Sequence, residues 1–110
     1  SNKMPDLNQL MRQAQQMQAN VAKAQEEVAK MTADGQSGGG MVTVTVNGTF
    51  DVQKIKIEKT VVDPSDIGML EDLIMSAVNA ANARMREVTK THMGKVMGGM
   101  NIPGMPGLGF

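Results

Sequence analysis

Leu7–Met31 reads LNQLMRQAQQMQANVAKAQEEVAKM, and its apolar residues recur on an uninterrupted heptad. One seam is Leu7, Ala14, Val21 and Val28; the other is Leu10, Met17, Ala24 and Met31. Alternating steps of three and four residues keep a narrow apolar stripe on one side of a helix, the pattern of a coiled-coil seam. A helix of this length measures roughly 38 Å at 1.5 Å per residue, longer than the core of so small a domain is wide. The spacing therefore predicts a helix that projects from the body and packs its seam on another helix. A second copy of the chain is the favoured source, and pairing within one chain stays open.

The rest of the composition limits what such a chain does. With 110 residues it makes a single modest domain, and small domains bury a low fraction of their surface, which favours oligomerisation. Two Phe and no Trp or Tyr leave the core to Val, Ile, Leu, Ala and twelve Met, a side chain that adapts its shape to its neighbours. The absence of Cys removes disulfides, thiolate catalysis and Cys-ligated zinc. No apolar run nears the roughly 18 residues of a membrane span, and no signal peptide precedes the first helix, so a cytoplasmic address is expected. Eleven basic residues balance eleven acidic ones. Bulk charge does not drive this chain to a polyanion, and any such binding has to come from local clusters.

The chain order predicts an α+β domain over residues 1–97, followed by a tail. Pro5 and Asp6 open a projecting helix over about 5–33, and Asp34-Gly35 with Gly38-Gly39-Gly40 ends it in a hinge. A phosphate-cradling loop is excluded there, because a strand follows instead of Lys-Ser/Thr and a helix. The sheet is expected over about 41–62. Val42, Val44 and Val46 alternate with Thr43 and Thr45, and Asn47-Gly48 signals a hairpin. A three-residue loop through Thr49 would pair Val46 with Phe50 and Val44 with Val52. Ile55 and Ile57 fall out of phase with Val52, which calls for a bulge near Gln53-Lys54, and Thr60-Val61-Val62 reads as a short third strand.

Asp63 as cap and Pro64 as first residue start a second helix over about 64–97. Its apolar stripe of Ile67, Leu70, Ile74, Ala77, Ala81 and Val88 is wide enough to cover one face of a small sheet. Residues 98–110 carry five Gly, two Pro and no charge, and read as a flexible tail whose Met100, Ile102, Met105, Leu108 and Phe110 could dock a protein partner. No catalytic constellation emerges. His92 is the single His and reads as solvated, adjacent Glu71 and Asp72 point apart on a helix, and no spacing matches a metal motif. Neither enzyme activity nor a cofactor is expected.

An ordered set of local signatures resembles the YbaB/EbfC family of bacterial nucleoid-associated proteins. The set runs through Lys23-Ala24-Gln25-Glu26-Glu27, Ser37-Gly38-Gly39-Gly40, and Val42-x-Val44-x-Val46-Asn47-Gly48. It continues with Leu70-Glu71-Asp72-Leu73-Ile74, Met93-Gly94-Lys95 and Gly98-Gly99-Met100, and spans about Leu7 to Gly99. The resemblance implies an α-β-β-β-α subunit, a tweezer-like homodimer joined through its sheets, and non-catalytic binding of double-stranded DNA in the nucleoid. For DNA phosphates the candidate contacts are Arg12, Lys23 and Lys30 on the first helix, with Arg84, Arg86, Lys90 and Lys95 on the second. Glu26 and Glu27 compete for Lys23 and Lys30 as helix-surface pairs. Gripping a duplex between arms implies weak or indirect sequence selectivity. The competing function is a dimeric module that docks a repair or replication protein through its Met-rich helices or apolar tail.

Overall fold

The computed structural model describes residues 6–98. Helix α1 (Leu7–Lys30) is followed by strands β1 (Thr32–Ser37), β2 (Val42–Asn47) and β3 (Val52–Ile57) and by helix α2 (Ile67–Gly98). The expected α-β-β-β-α order is present, as an antiparallel three-stranded open sheet in the order β1-β2-β3. The molecule is a rod of 81 × 22 × 16 Å, because its two helices run on far past the sheet.

The strands are not all where the sequence placed them. The third strand is β1, inside the segment read as helix end and hinge, while Lys59–Val61 forms a single 3-10 turn in place of a strand. Helix α1 stops at Lys30, short of position 33, and Met31 is already extended. Gly38, Gly39 and Gly40 all hold positive φ, at 59, 66 and 92°, so the triple Gly is the tight turn joining β1 to β2 instead of a hinge. Gly carries that conformation without the Cβ penalty.

The register explains the bulge. Thr45 faces Lys54 and Val46 faces Val52, which leaves Gln53 as the extra residue and puts Val52, Ile55 and Ile57 on one face. Val44 accordingly pairs with Ile55, and Val46 with Val52 rather than with Phe50. The Phe50 amide donates to the Asn47 carbonyl at 2.9 Å and Asn47 N–H to the Asp51 carbonyl at 3.1 Å. Phe50 itself sits at φ 65°. Asn47 Oδ1 holds the loop by accepting from the amides of Thr49 and Asp51, both at 3.0 Å.

One sheet face is apolar and the other polar. Ala33 and Gly35 of β1 and Val42, Val44 and Val46 of β2 lie under α2, against Ala77, Ala81 and Met85. Fully burying each Val contributes roughly 1.5–3 kcal/mol. Small residues let helix and strand backbones meet, and a side chain at Gly35 would run into the backbone of Ala77 and Ala81. On the other face Thr45 Oγ1 donates to Asp34 Oδ1 at 2.7 Å, and Lys54 and Lys56 are exposed.

The start of α2 also differs from expectation. Asp66, not Asp63, accepts from the third amide of the helix, Met69 N–H, at 3.2 Å. Asp63 organises the preceding turn, accepting from the Ser65 amide at 2.9 Å and hydroxyl at 2.7 Å. Those two bonds hold its carboxyl below the ordinary carboxylate pKa. The expected docking residues Met100, Ile102, Met105, Leu108 and Phe110 lie outside the described residues.

Candidate nucleic-acid interface

Helix α1 returns along the far half of α2, and the two run antiparallel. Glu27 Oε2 meets His92 Nε2 at 2.8 Å, while Asn20, Lys23 and Glu27 share a small cavity with Val96. Falling numbers on α1 thus match rising numbers on α2. The heptad seam divides accordingly. Ala24 and Val28 are buried, Met17, Val21 and Met31 are half-buried, and Leu7, Leu10 and Ala14 are exposed. The C-terminal half of the seam joins the body of its own chain, with Val28 in the main core. The N-terminal half is an arm that runs on beyond the level of Met97, in the last described turn of α2.

His92 is not the solvated residue its sequence context suggested. Its side chain is 21% exposed and meets Glu27 across the helix pair. Glu27 therefore spends its carboxylate on His92 instead of on Lys23 or Lys30. Among the described residues no Lys or Arg lies within 4.0 Å of a carboxylate oxygen, and Glu27–His92 is the one such contact.

All seven candidate cations are exposed, but they do not form one cluster. Arg84 and Lys95 line a 360 Å³ groove with Met31, Glu87, Val88, Thr91 and His92. Arg86 and Lys90 line a larger groove of 520 Å³ with Val21, Gln25, Phe50, Thr89, Met93 and Met97. The split follows from helical geometry, since positions two apart face away from each other and positions four or eleven apart share a face. Lys23 lines the small cavity beside Val96. Lys30 lies at the end of α1 beside the sheet, and Arg12 lies on the arm.

Lys54 and Lys56 were missed as candidates. Alternation in β3 could have found them: Ile55 and Ile57 face the apolar side, which sends both lysines to the open polar face. No cluster of three or more His, Cys, Asp or Glu able to hold a metal occurs among the described residues. No described helix is long and apolar enough to cross a membrane.

Cations without carboxylate partners, carried on two long helices, suit contact with an extended polyanion. Phosphate oxygens need donors and local positive charge, and a neutral chain can supply both by segregating its cations on a surface. Fold and surface together define a small α+β protein with an open sheet and two long helices that carry exposed cations.

The chain belongs to the YbaB/EbfC DNA-binding family, whose model matches residues 4–100. It is 44% identical over 104 residues to a nucleoid-associated protein of Rhodococcus opacus (strain B4), covering 94% of this chain and 92% of the relative. It is 47% identical over 100 residues to one of Syntrophobacter fumaroxidans, covering 89% and 91%. The fold is also that of the uncharacterized protein HP0035 from Helicobacter pylori, known from its crystal structure. The TM-score is 0.67 at 23% identity, over 86% of this chain and 99% of that one.

Proposed function

We propose that the chain is a non-catalytic homodimer that binds double-stranded DNA in the bacterial nucleoid, in the cytoplasm, with weak or indirect sequence selectivity. The observation that carries this reading is the set of seven exposed cations on α1 and α2, none held by a carboxylate. Paired cations would have to exchange partners to meet a phosphate, whereas these are free to do so. Family membership and the names of the relatives point the same way. Contacts of this kind read duplex shape and charge rather than base edges.

Dimerisation is supported by the uncovered end of the apolar sheet face. Helix α2 lies over β1 and β2 and leaves Val52 and Ile55 of β3 at 45% and 46% exposed. A β3 edge with an open apolar flank invites a second sheet, and a dimer doubles every cation set.

The test is fluorescence anisotropy of a labelled random-sequence duplex, titrated at several salt concentrations. Six to ten phosphate contacts per dimer would weaken binding about 10³- to 10⁵-fold between 50 and 200 mM salt. Saturable binding with that dependence supports the reading. No binding at low salt to any duplex tested would overturn it.

A further inference from the structure

Arg86, Lys90, Met93 and Met97 follow one another along α2 at the three- and four-residue spacing that puts side chains in one row on a helix. With Val21 of α1 and Phe50 of the β2–β3 loop they line the groove of 520 Å³, a size in the range of about 300–1,000 Å³ that suits a small molecule. The row is ordered by polarity. Its two cations come first, just past the Met85 that packs on the sheet, and its two Met come last. From Arg86 to Met97 the row measures about 16 Å at 1.5 Å per residue. No Asp or Glu lines this groove, and neither cation has a carboxylate within 4.0 Å among the described residues. Phe50 is 43% exposed and held at φ 65°, a backbone state that bulky residues rarely adopt and that gathers at ligand sites.

We propose that this groove binds a single-chain amphipathic anion of the fatty carboxylate class, its head between Arg86 and Lys90 and its chain along Met93, Met97 and Val21. Charge and polarity choose this occupant. Duplex phosphates would use the two cations and leave Val21, Phe50, Met93 and Met97 without a partner. A neutral apolar molecule would fill the apolar end and leave the cations unused. A second copy seated groove to groove would set two Arg86–Lys90 pairs against each other, and like charges repel. An anion with one chain meets both ends at once. The guanidinium and ammonium donate to its carboxylate, and the Met side chains mould to its chain. The site itself does not depend on the DNA-binding reading. Its effect on DNA does, since an occupied groove withholds Arg86 and Lys90 from phosphate.

The probe is decanoate below its micelle concentration, titrated without DNA into the full chain carrying isotope-labelled Met methyls. Expected are saturable shifts at Met93 and Met97, and none at Met69 and Met75, which are 40% and 57% exposed near the start of α2. Equal or larger shifts at Met69 and Met75 would mean adsorption to any exposed apolar side chain, and would overturn the proposal. So would the absence of a saturable shift at Met93. Arg86→Gln with Lys90→Gln, both at exposed positions, should weaken decanoate about tenfold, at up to about fivefold per exposed ion pair. The neutral 1,2-decanediol should bind the unaltered chain more weakly than decanoate does. Undiminished binding in either case would remove the role of charge, and the proposal with it. In a second titration decanoate should release a labelled duplex from the protein. Decanoate that binds yet leaves a bound duplex in place would overturn the effect on DNA and not the site.

Discussion

A Cβ added to Gly35 would collide with the Ala77 carbonyl oxygen and the Ala81 amide, and both neighbours are backbone, which cannot swing aside. Gly35→Ala should therefore destabilise by about 3 kcal/mol, the upper end for overpacking, seen as a lower urea midpoint with unchanged slope. A loss under about 0.5 kcal/mol would mean that β1 and α2 are not in backbone contact. Gly48 plays the same part against the Val28 carbonyl. Its φ is not positive, so closeness to α1, and not the turn, is what demands Gly there. Asp63 gives a pH-dependent case. Its folded pKa lies below its unfolded value, so its contribution is present above the unfolded pKa and disappears as pH falls through the folded one. The melting temperature of Asp63→Ala should lie below that of the parent at pH 7, and the two should converge in strong acid.

At the scale of elements, α1 is two structures in one helix. Val28→Asp places a charge at a position only 6% exposed, and should cost about 3 kcal/mol or more in a denaturation measurement. The Glu27–His92 contact joins the same two helices, yet Glu27 is 44% exposed. A double-mutant cycle with Glu27→Gln and His92→Gln should return under about 1 kcal/mol. The elements also divide by how readable they are. Both helices and the β2–β3 bulge were legible, the helices from the spacing of Leu, Met, Ala, Val and Ile and the bulge from the phase of Val52, Ile55 and Ile57. Strand β1 was not. Its buried residues are Ala33 and Gly35, too small to register as apolar alternation, and their smallness is what brings α2 close. The cap of α2 failed for a related reason: Asp63 and Asp66 both suit a helix start, and only the turn between them decides.

At the scale of the whole molecule, charge position was the illegible quantity. Sequence proximity grouped Arg84, Arg86, Lys90 and Lys95, while helical rotation sends Arg84 and Lys95 to one groove and Arg86 and Lys90 to another. The two pairs can thus be tested separately. Replacing a pair that contacts phosphate should shallow the log–log salt slope of DNA binding by about two per protomer, at about one per contact, and the other pair should leave it unchanged. Equal effects of both pairs would place the duplex across the two grooves at once. Ile55→Asp should yield a monomer by light scattering, with the fold intact by circular dichroism. A dimer surviving that change would place the subunit contact elsewhere than β3.

Helix α2 is continuous over 32 residues, about 48 Å at 1.5 Å per residue, and its first half is clamped to the sheet by the Gly35 contact. It behaves as a lever with its fulcrum at the sheet. A tilt of about 5° there displaces Gly98, about 28 Å beyond the contact, by about 2.5 Å, or nearly half a helical turn. Small repacking around the Val and Ala layer is consequently geared up into a displacement of the far end of α2. Mutations in side chains that never meet solvent thereby become a means of moving Lys90 and Lys95, on the far half of α2, relative to the sheet.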